Sequence, residues 1–180
     1  MFVARGLLRG VGSTASPASS GASRRALSSA SSGAAGPSGL EQLQAFQNVF
    51  HSAEGIGKTL SFEVESVSAG SVVFVGTPTK KHYNPTGTVH GGYTATLLDS
   101  ACACSVMSLL PPGQASTTLE LKTSYLAAMT DKTGPVCATG KVVRMGKKAA
   151  FAEATLTSVD GSKVFATATS TLLVWDLQKK

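Results

Sequence analysis

The chain has 180 residues, 42% hydrophobic and 14% charged, with a formal net charge of +6. That length holds one ordinary domain with a core of its own and is short for two, and the composition is globular rather than disordered. The charge does not point to nucleic acid: residues 1–40 hold four arginines and no acid, leaving 12 basic residues against 10 acidic over the rest, an ordinary surface.

Residues 1–40 are rich in Ser, Ala, Gly and Arg, a composition that cannot bury a core. Phe2, Val3, Leu7 and Leu8 interleave with Arg5 and Arg9, as in an amphipathic helix with a basic face. Arg25-Ala26-Leu27 before Ser28-Ser29 looks like a mitochondrial processing site. Residues 1–40 are therefore expected to be a disordered N-terminal transit peptide, mitochondrial or alternatively chloroplast, and 41–180 the domain.

From Glu41 to Phe50, Leu43, Phe46, Val49 and Phe50 fall at helical spacing, which predicts a short amphipathic helix ended by Gly55 and Gly57. Gly55-Ile-Gly57-Lys58-Thr59 looks like the end of a phosphate-binding loop. Ser52 stands where that motif needs its first glycine, and a helix rather than a strand precedes it, so the motif is rejected. Leu60 to Val67 and Ser71 to Thr77 read as a hairpin turning at Ala69-Gly70. Residues 78–89, with two prolines, Asn84 and Gly87, form a loop.

Gly91-Gly92 then opens an apolar segment, Tyr93 to Leu110, without Gly or Pro, that predicts a helix terminated by Pro111-Pro112-Gly113. Asp99 and several small polar residues interrupt it, so no membrane span is expected. Cys102 and Cys104, two apart, and Cys137 lack metal-ligand spacing. They read as small apolar residues in a reducing compartment, with no metal expected.

Thr117 to Leu126, Val136 to Met145, Ala149 to Val159 and Lys163 to Val174 alternate as four strands, with hairpin turns at Gly146-Lys147 and Asp160-Gly161. The fold class is therefore α+β: an antiparallel sheet of about six strands wrapped around one long central helix.

Between Lys81 and Glu120 the only formal charge is Asp99, inside the helix expected to be most buried. Burying a carboxylate without partners costs several kcal/mol, so the residue reads as a general base or nucleophile. Ser100 lies outside any nucleophile-elbow pattern, which argues against a serine hydrolase. His90-Gly91-Gly92 lets a substrate approach backbone, and the free N–H groups of a helix start suit an oxyanion. Gly91 and Asp99 are roughly 12 Å apart along a helix. One carbonyl does not reach both in one subunit, so a site shared across a two-fold dimer is predicted.

The stretch from Asn84 through His90-Gly91-Gly92 to Asp99 closely resembles the signature of hotdog-fold acyl-CoA thioesterases of the phenylacetate-pathway (PaaI-type) group, over about residues 40–175. The resemblance implies Asp99 as the catalytic acid and the Gly91 N–H as the group polarising the thioester carbonyl. It further implies Asn84 of the opposing subunit holding substrate or water, and Thr118 orienting water. It extends substrate binding to His90 and Gly92, and to the hairpin with Arg144, Gly146, Lys147 and Lys148 near the nucleotide end of CoA. It implies hydrolysis of an aromatic or medium- to long-chain acyl-CoA without a cofactor, by a homodimer or homotetramer, the apolar lining being Tyr93, Leu97 and Met107. The competing readings are a hotdog acyl-thioester dehydratase or hydratase, which would depend on a histidine, and a non-catalytic acyl-CoA-binding module.

Overall fold

The computed structural model describes residues 36–49 and 54–177. Residues 1–35, which carry most of the expected transit peptide, lie outside them, as does Phe50.

Helix α1 (Gly39–Val49) starts two residues before its predicted boundary. Ser38 and Glu41 form a reciprocal cap: the Ser38 N–H donates to Glu41 Oε2 at 2.7 Å and the Glu41 N–H to Ser38 Oγ at 3.4 Å. The Ser38 N–H, and then the Ser38 hydroxyl donating to the same Oε2 at 2.8 Å, hold the Glu41 carboxyl below its ordinary range. The Gly39 N–H donates to Leu110 O at 2.9 Å and Leu43 enters the core, which docks α1 against the end of the central helix.

A five-residue helix α2 (Ile56–Leu60) follows, where the sequence reading placed a break and the start of a strand. Ser61 closes it in the left-handed region at φ 54°, so β1 begins at Phe62 rather than Leu60.

The strands are β1 (Phe62–Ser68), β2 (Ser71–Gly76), β3 (Gln114–Tyr125), β4 (Val136–Met145), β5 (Ala149–Ser158) and β6 (Val164–Asp176). They form one antiparallel sheet in the order β1-β2-β4-β5-β6-β3. The expected α+β architecture is present, with the long helix α3 (Gly91–Met107) packed against the sheet. It ends three residues before the predicted Leu110. The chain continues in tight turns there, Leu109 N–H to Val106 O and Leu110 N–H to Met107 O.

The concave side of the sheet is paved with small residues: Ala138, Ala150, Ala152, Ala154, Ala166 and Ala168 are all buried. Small side chains bring the helix backbone close to the strands, and Gly140 marks the closest approach. A Cβ there would stand 2.1 Å from the Ala101 carbonyl oxygen, so only glycine fits. Leu97, Leu98 and Val106 of α3 fill the space beside this contact with Val72, Leu156 and Leu172. The buried Ser105 hydroxyl is returned to the helix's own backbone, donating to Cys102 O at 2.8 Å.

Candidate active site

Asp99 sits midway along α3, half-buried, two residues before the buried Ala101. Thr118 of β3 donates its hydroxyl to Asp99 Oδ1 at 2.9 Å. A β-bulge at Leu119 shifts the β3–β6 register between Thr118 and Glu120. Thr118 is half-buried on the side of the helix while its neighbour Thr117 is exposed, and Leu119 is turned out at 61% exposure. Asp99 Oδ2 accepts no hydrogen bond among the described residues. The free oxygen and the hydroxyl therefore present one acceptor-rich corner, suited to holding a water molecule.

The other half of the chemistry lies at the start of α3. His90 is the N-cap, its Nδ1 accepting the Gly92 N–H at 2.8 Å, and its carbonyl accepts the Tyr93 N–H at 3.0 Å. The Gly91 N–H makes no bond among the described residues and is one of the free donors of a helix start. Of the two glycines, Gly91 thus offers the open amide and Gly92 does not.

A cleft of about 330 Å³ opens beside Gly91, walled by Val89 and Thr94 and by residues 125–129. Two ties set its shape. The Val89 N–H donates to Met129 O at 2.9 Å. The Tyr83 hydroxyl donates to Asp131 Oδ1 at 2.6 Å and holds that carboxyl below its usual range. At its mouth the Tyr125 ring lies against Gly91, where a Cβ would meet it at 3.1 Å, and the Tyr125 hydroxyl donates to Gly91 O at 3.1 Å. No sequence signal marked Tyr125, which read as an ordinary strand end. A second hollow, about 300 Å³ near Lys58, Glu63 and Thr77, includes neither Asp99 nor Gly91.

Asn84 organises its own loop. Its Oδ1 accepts from the Thr86 N–H at 3.0 Å, the Thr86 hydroxyl at 2.7 Å and the Thr88 N–H at 3.2 Å, and its Nδ2 donates to Thr88 Oγ1 at 2.9 Å. One amide hydrogen remains for another partner.

Arg144, Lys147 and Lys148 are exposed at the β4–β5 turn, closed by the Gly146 N–H on Ala149 O at 2.9 Å. The registers Thr118↔Leu172, Leu172↔Ala150 and Ala150↔Met145 put this turn at the end of the cross-strand row that starts at Thr118. Three strand spacings make that roughly 14 Å.

The acyl lining expected from Tyr93 and Leu97 is corrected. Both are core residues, 3% and 0% exposed, because their positions on α3 face the sheet. The Tyr93 ring stacks on His82 with centroids 4.5 Å apart. His82 accepts the Thr79 N–H on Nδ1 at 3.0 Å, and burial, then Lys81, lowers its pKa. Burial pushes the Cys102 and Cys104 thiols up to about 12, with the Asp99 charge adding to the rise. All three cysteines are free.

With this geometry established, likeness to known proteins is informative. A family model described as Thioesterase superfamily matches residues 86–165, which contain Gly91, Asp99, Thr118, Tyr125 and the basic turn. The chain is 29% identical over 93 residues to the 1,4-dihydroxy-2-naphthoyl-CoA hydrolase of Listeria monocytogenes, covering 52% of this chain and 74% of that one. It is 32% identical over 88 residues to acyl-coenzyme A thioesterase 13 of Mus musculus, covering 48% of this chain and 61% of that one. The crystal structure of zebrafish thioesterase superfamily member 2 superposes with a TM-score of 0.63 at 28% identity, over 74% of this chain and 96% of that one.

Proposed function

We propose that this chain, whose fold is the hotdog, is a thioester hydrolase of the thioesterase superfamily that cleaves an aromatic or medium- to long-chain acyl-CoA to the free acid and CoA. The observation that carries the mechanism is the Thr118–Asp99 hydrogen bond. Thr118 spends its only proton on Asp99 and turns its lone pairs toward a water that the free Asp99 oxygen can deprotonate. The resulting hydroxide adds to the thioester carbonyl, and the oxyanion is met by the Gly91 N–H of the partner subunit. Collapse breaks the carbon–sulfur bond and releases the CoA thiolate.

Two features support the shared site. Asp99–Thr118 lies midway along the α3–β3 pair and Gly91–Tyr125 at its end, eight residues and roughly 12 Å apart along the helix. The outer side of β3 is also the free edge of the sheet, twelve residues long, with Leu119 and Tyr125 exposed on it. A two-fold pairing of these edges brings the carboxylate end of one protomer toward the glycine end of its mate and covers an edge that would otherwise invite aggregation. Whether two such dimers form a tetramer is read by light scattering on the purified protein.

The basic turn at Arg144, Gly146, Lys147 and Lys148 is assigned to the CoA phosphates, at a distance from Thr118 that an extended pantetheine arm bridges. His90 and Gly92 frame the entrance through the cap, and Asn84 has one donor left for substrate or water. Metal or redox chemistry is not called for by this donor set. The dehydratase reading has less support, since His90 Nδ1 is committed to the helix cap and His82 is buried. Residues 1–35, the part of the expected transit peptide that precedes the Ser38 cap of α1, are proposed as the mitochondrial address; their fusion to a fluorescent protein tests this, and a cytosolic signal rejects it.

The deciding experiment measures CoA thiol release from a panel of acyl-CoAs by the wild type and by Asp99→Asn. Turnover that survives in Asp99→Asn removes the mechanism. Binding without turnover in the wild type leaves the binding-module reading in its place.

A further inference from the structure

We propose that Tyr125 is a positioning residue for the reaction: it clamps the first turn of α3 so that the Gly91 amide stays aimed at the thioester, an inference that rests on the function proposed above. Two consecutive glycines make the first turn of α3 the least restrained part of that helix, because glycine loses more backbone freedom on ordering than any other residue. The turn is nevertheless where the oxyanion donor must be held still, since a donor displaced by a fraction of an ångström loses most of its effect.

Three side-chain hydrogen bonds fall on the two glycines. His90 Nδ1 takes the Gly92 N–H, Thr96 donates its hydroxyl to Gly92 O at 2.8 Å, and Tyr125 donates to Gly91 O. Of these three, the Tyr125 bond alone comes from another element, β3, 34 residues away in the chain. Its ring also covers Gly91 on the side where any Cβ would meet ring carbons and the hydroxyl at 3.1–3.2 Å. The same ring forms part of the cleft wall beside Leu126. A tyrosine 57% exposed in the protomer needs no hydroxyl partner inside the protein, since water serves. Its commitment to the Gly91 carbonyl is thus a feature of the site rather than a demand of burial.

The hydroxyl and the ring have separable consequences. Tyr125→Phe keeps the wall and loses the clamp, so kcat falls about fivefold to tenfold while KM changes less than about twofold. Tyr125→Ala loses both, so KM rises as well. Thermal midpoints and oligomeric state are recorded for each variant, because a purely structural tyrosine would move those and leave the Phe variant's kcat intact. Wild-type activity with kcat in Tyr125→Phe unchanged overturns the clamp alone. A wild type that turns over no acyl-CoA overturns both the clamp and the function on which it rests. A fall in Tyr125→Phe confined to KM also overturns the clamp and leaves Tyr125 as wall only.

Discussion

Replacing Thr118 by Val tests the centre of the mechanism with the least structural disturbance. The side chains have nearly the same shape, and the site is half-buried, so the substitution removes one hydroxyl and leaves the packing of β3 against α3 in place. What is lost is a hydrogen bond to a carboxylate, 2.9 Å long. Such bonds contribute about 1.5–3 kcal/mol. If that interaction serves the transition state, by fixing the carboxylate and the attacking water together, kcat/KM falls roughly 10- to 150-fold. The assay is CoA release followed with a thiol reagent. A blank without substrate corrects for the three free cysteines of the protein. Asp99→Asn supplies the second arm of a double-mutant cycle. With Asp99 absent, Thr118→Val has nothing left to orient, so the double variant is no slower than Asp99→Asn alone. Losses that multiply independently, or a Thr118→Val enzyme as fast as wild type, would refute the joint role of the pair.

Three further outcomes follow from the packing and the ionisable groups. Gly140→Ala places a methyl carbon 2.1 Å from the Ala101 carbonyl; backbone on both sides leaves no room to yield, so stability drops by about 3 kcal/mol or more in chemical denaturation, and a change under about 1 kcal/mol would contradict the close approach. Tyr93→Phe removes a buried hydroxyl that has no partner among the described residues, and is expected to leave stability unchanged or raise it by roughly 1 kcal/mol; a clear loss would mean that an ordered water satisfies the group. His82 is held neutral in the fold, its pKa below the ordinary 6.5, so between the two values the unfolded chain binds more protons. Its contribution to stability is complete above 6.5 and is lost as pH falls below it; melts at about pH 7.5 and 5.5 should show a smaller acid decrease for His82→Gln than for wild type.

The parts of the fold that local pattern determines were legible. β4 begins and ends where its alternation does, at Val136 and Met145, because the Gly146 turn ends the ladder abruptly. The long helix was visible in its composition. Its opening at His90-Gly91-Gly92 was legible too, and His90 Nδ1 caps it by holding the Gly92 amide. The Ser38–Glu41 capping box stood in the sequence in the ordinary S-x-x-E spacing, but its serine fell in a segment already assigned to a transit peptide. α2 has only five residues, too few for a period, and its structure depends on Ser61 adopting a left-handed backbone.

At the candidate site the lone charge of Asp99 was conspicuous because its surroundings are apolar. Choosing Thr118 over Thr117 needs the bulge at Leu119, which sequence spacing does not announce. Tyr93 and Leu97 were misplaced for a related reason. A nearly all-apolar helix has no polar face to orient it, so which side chains meet the sheet and which meet the cleft is settled only by tertiary packing.

Where the Ala101 carbonyl rests on Gly140, the helix has a fixed bearing point only two residues from Asp99. Neither sliding nor rolling of α3 is open at that place without backbone collision. Side-chain adjustment is thus left to the far end, where residues 126–129 wall the cleft beside the turn that Tyr125 holds. The scaffold separates a stationary Asp99–Thr118 pair from the cleft at the other end, whose lining side chains can be exchanged without disturbing that pair.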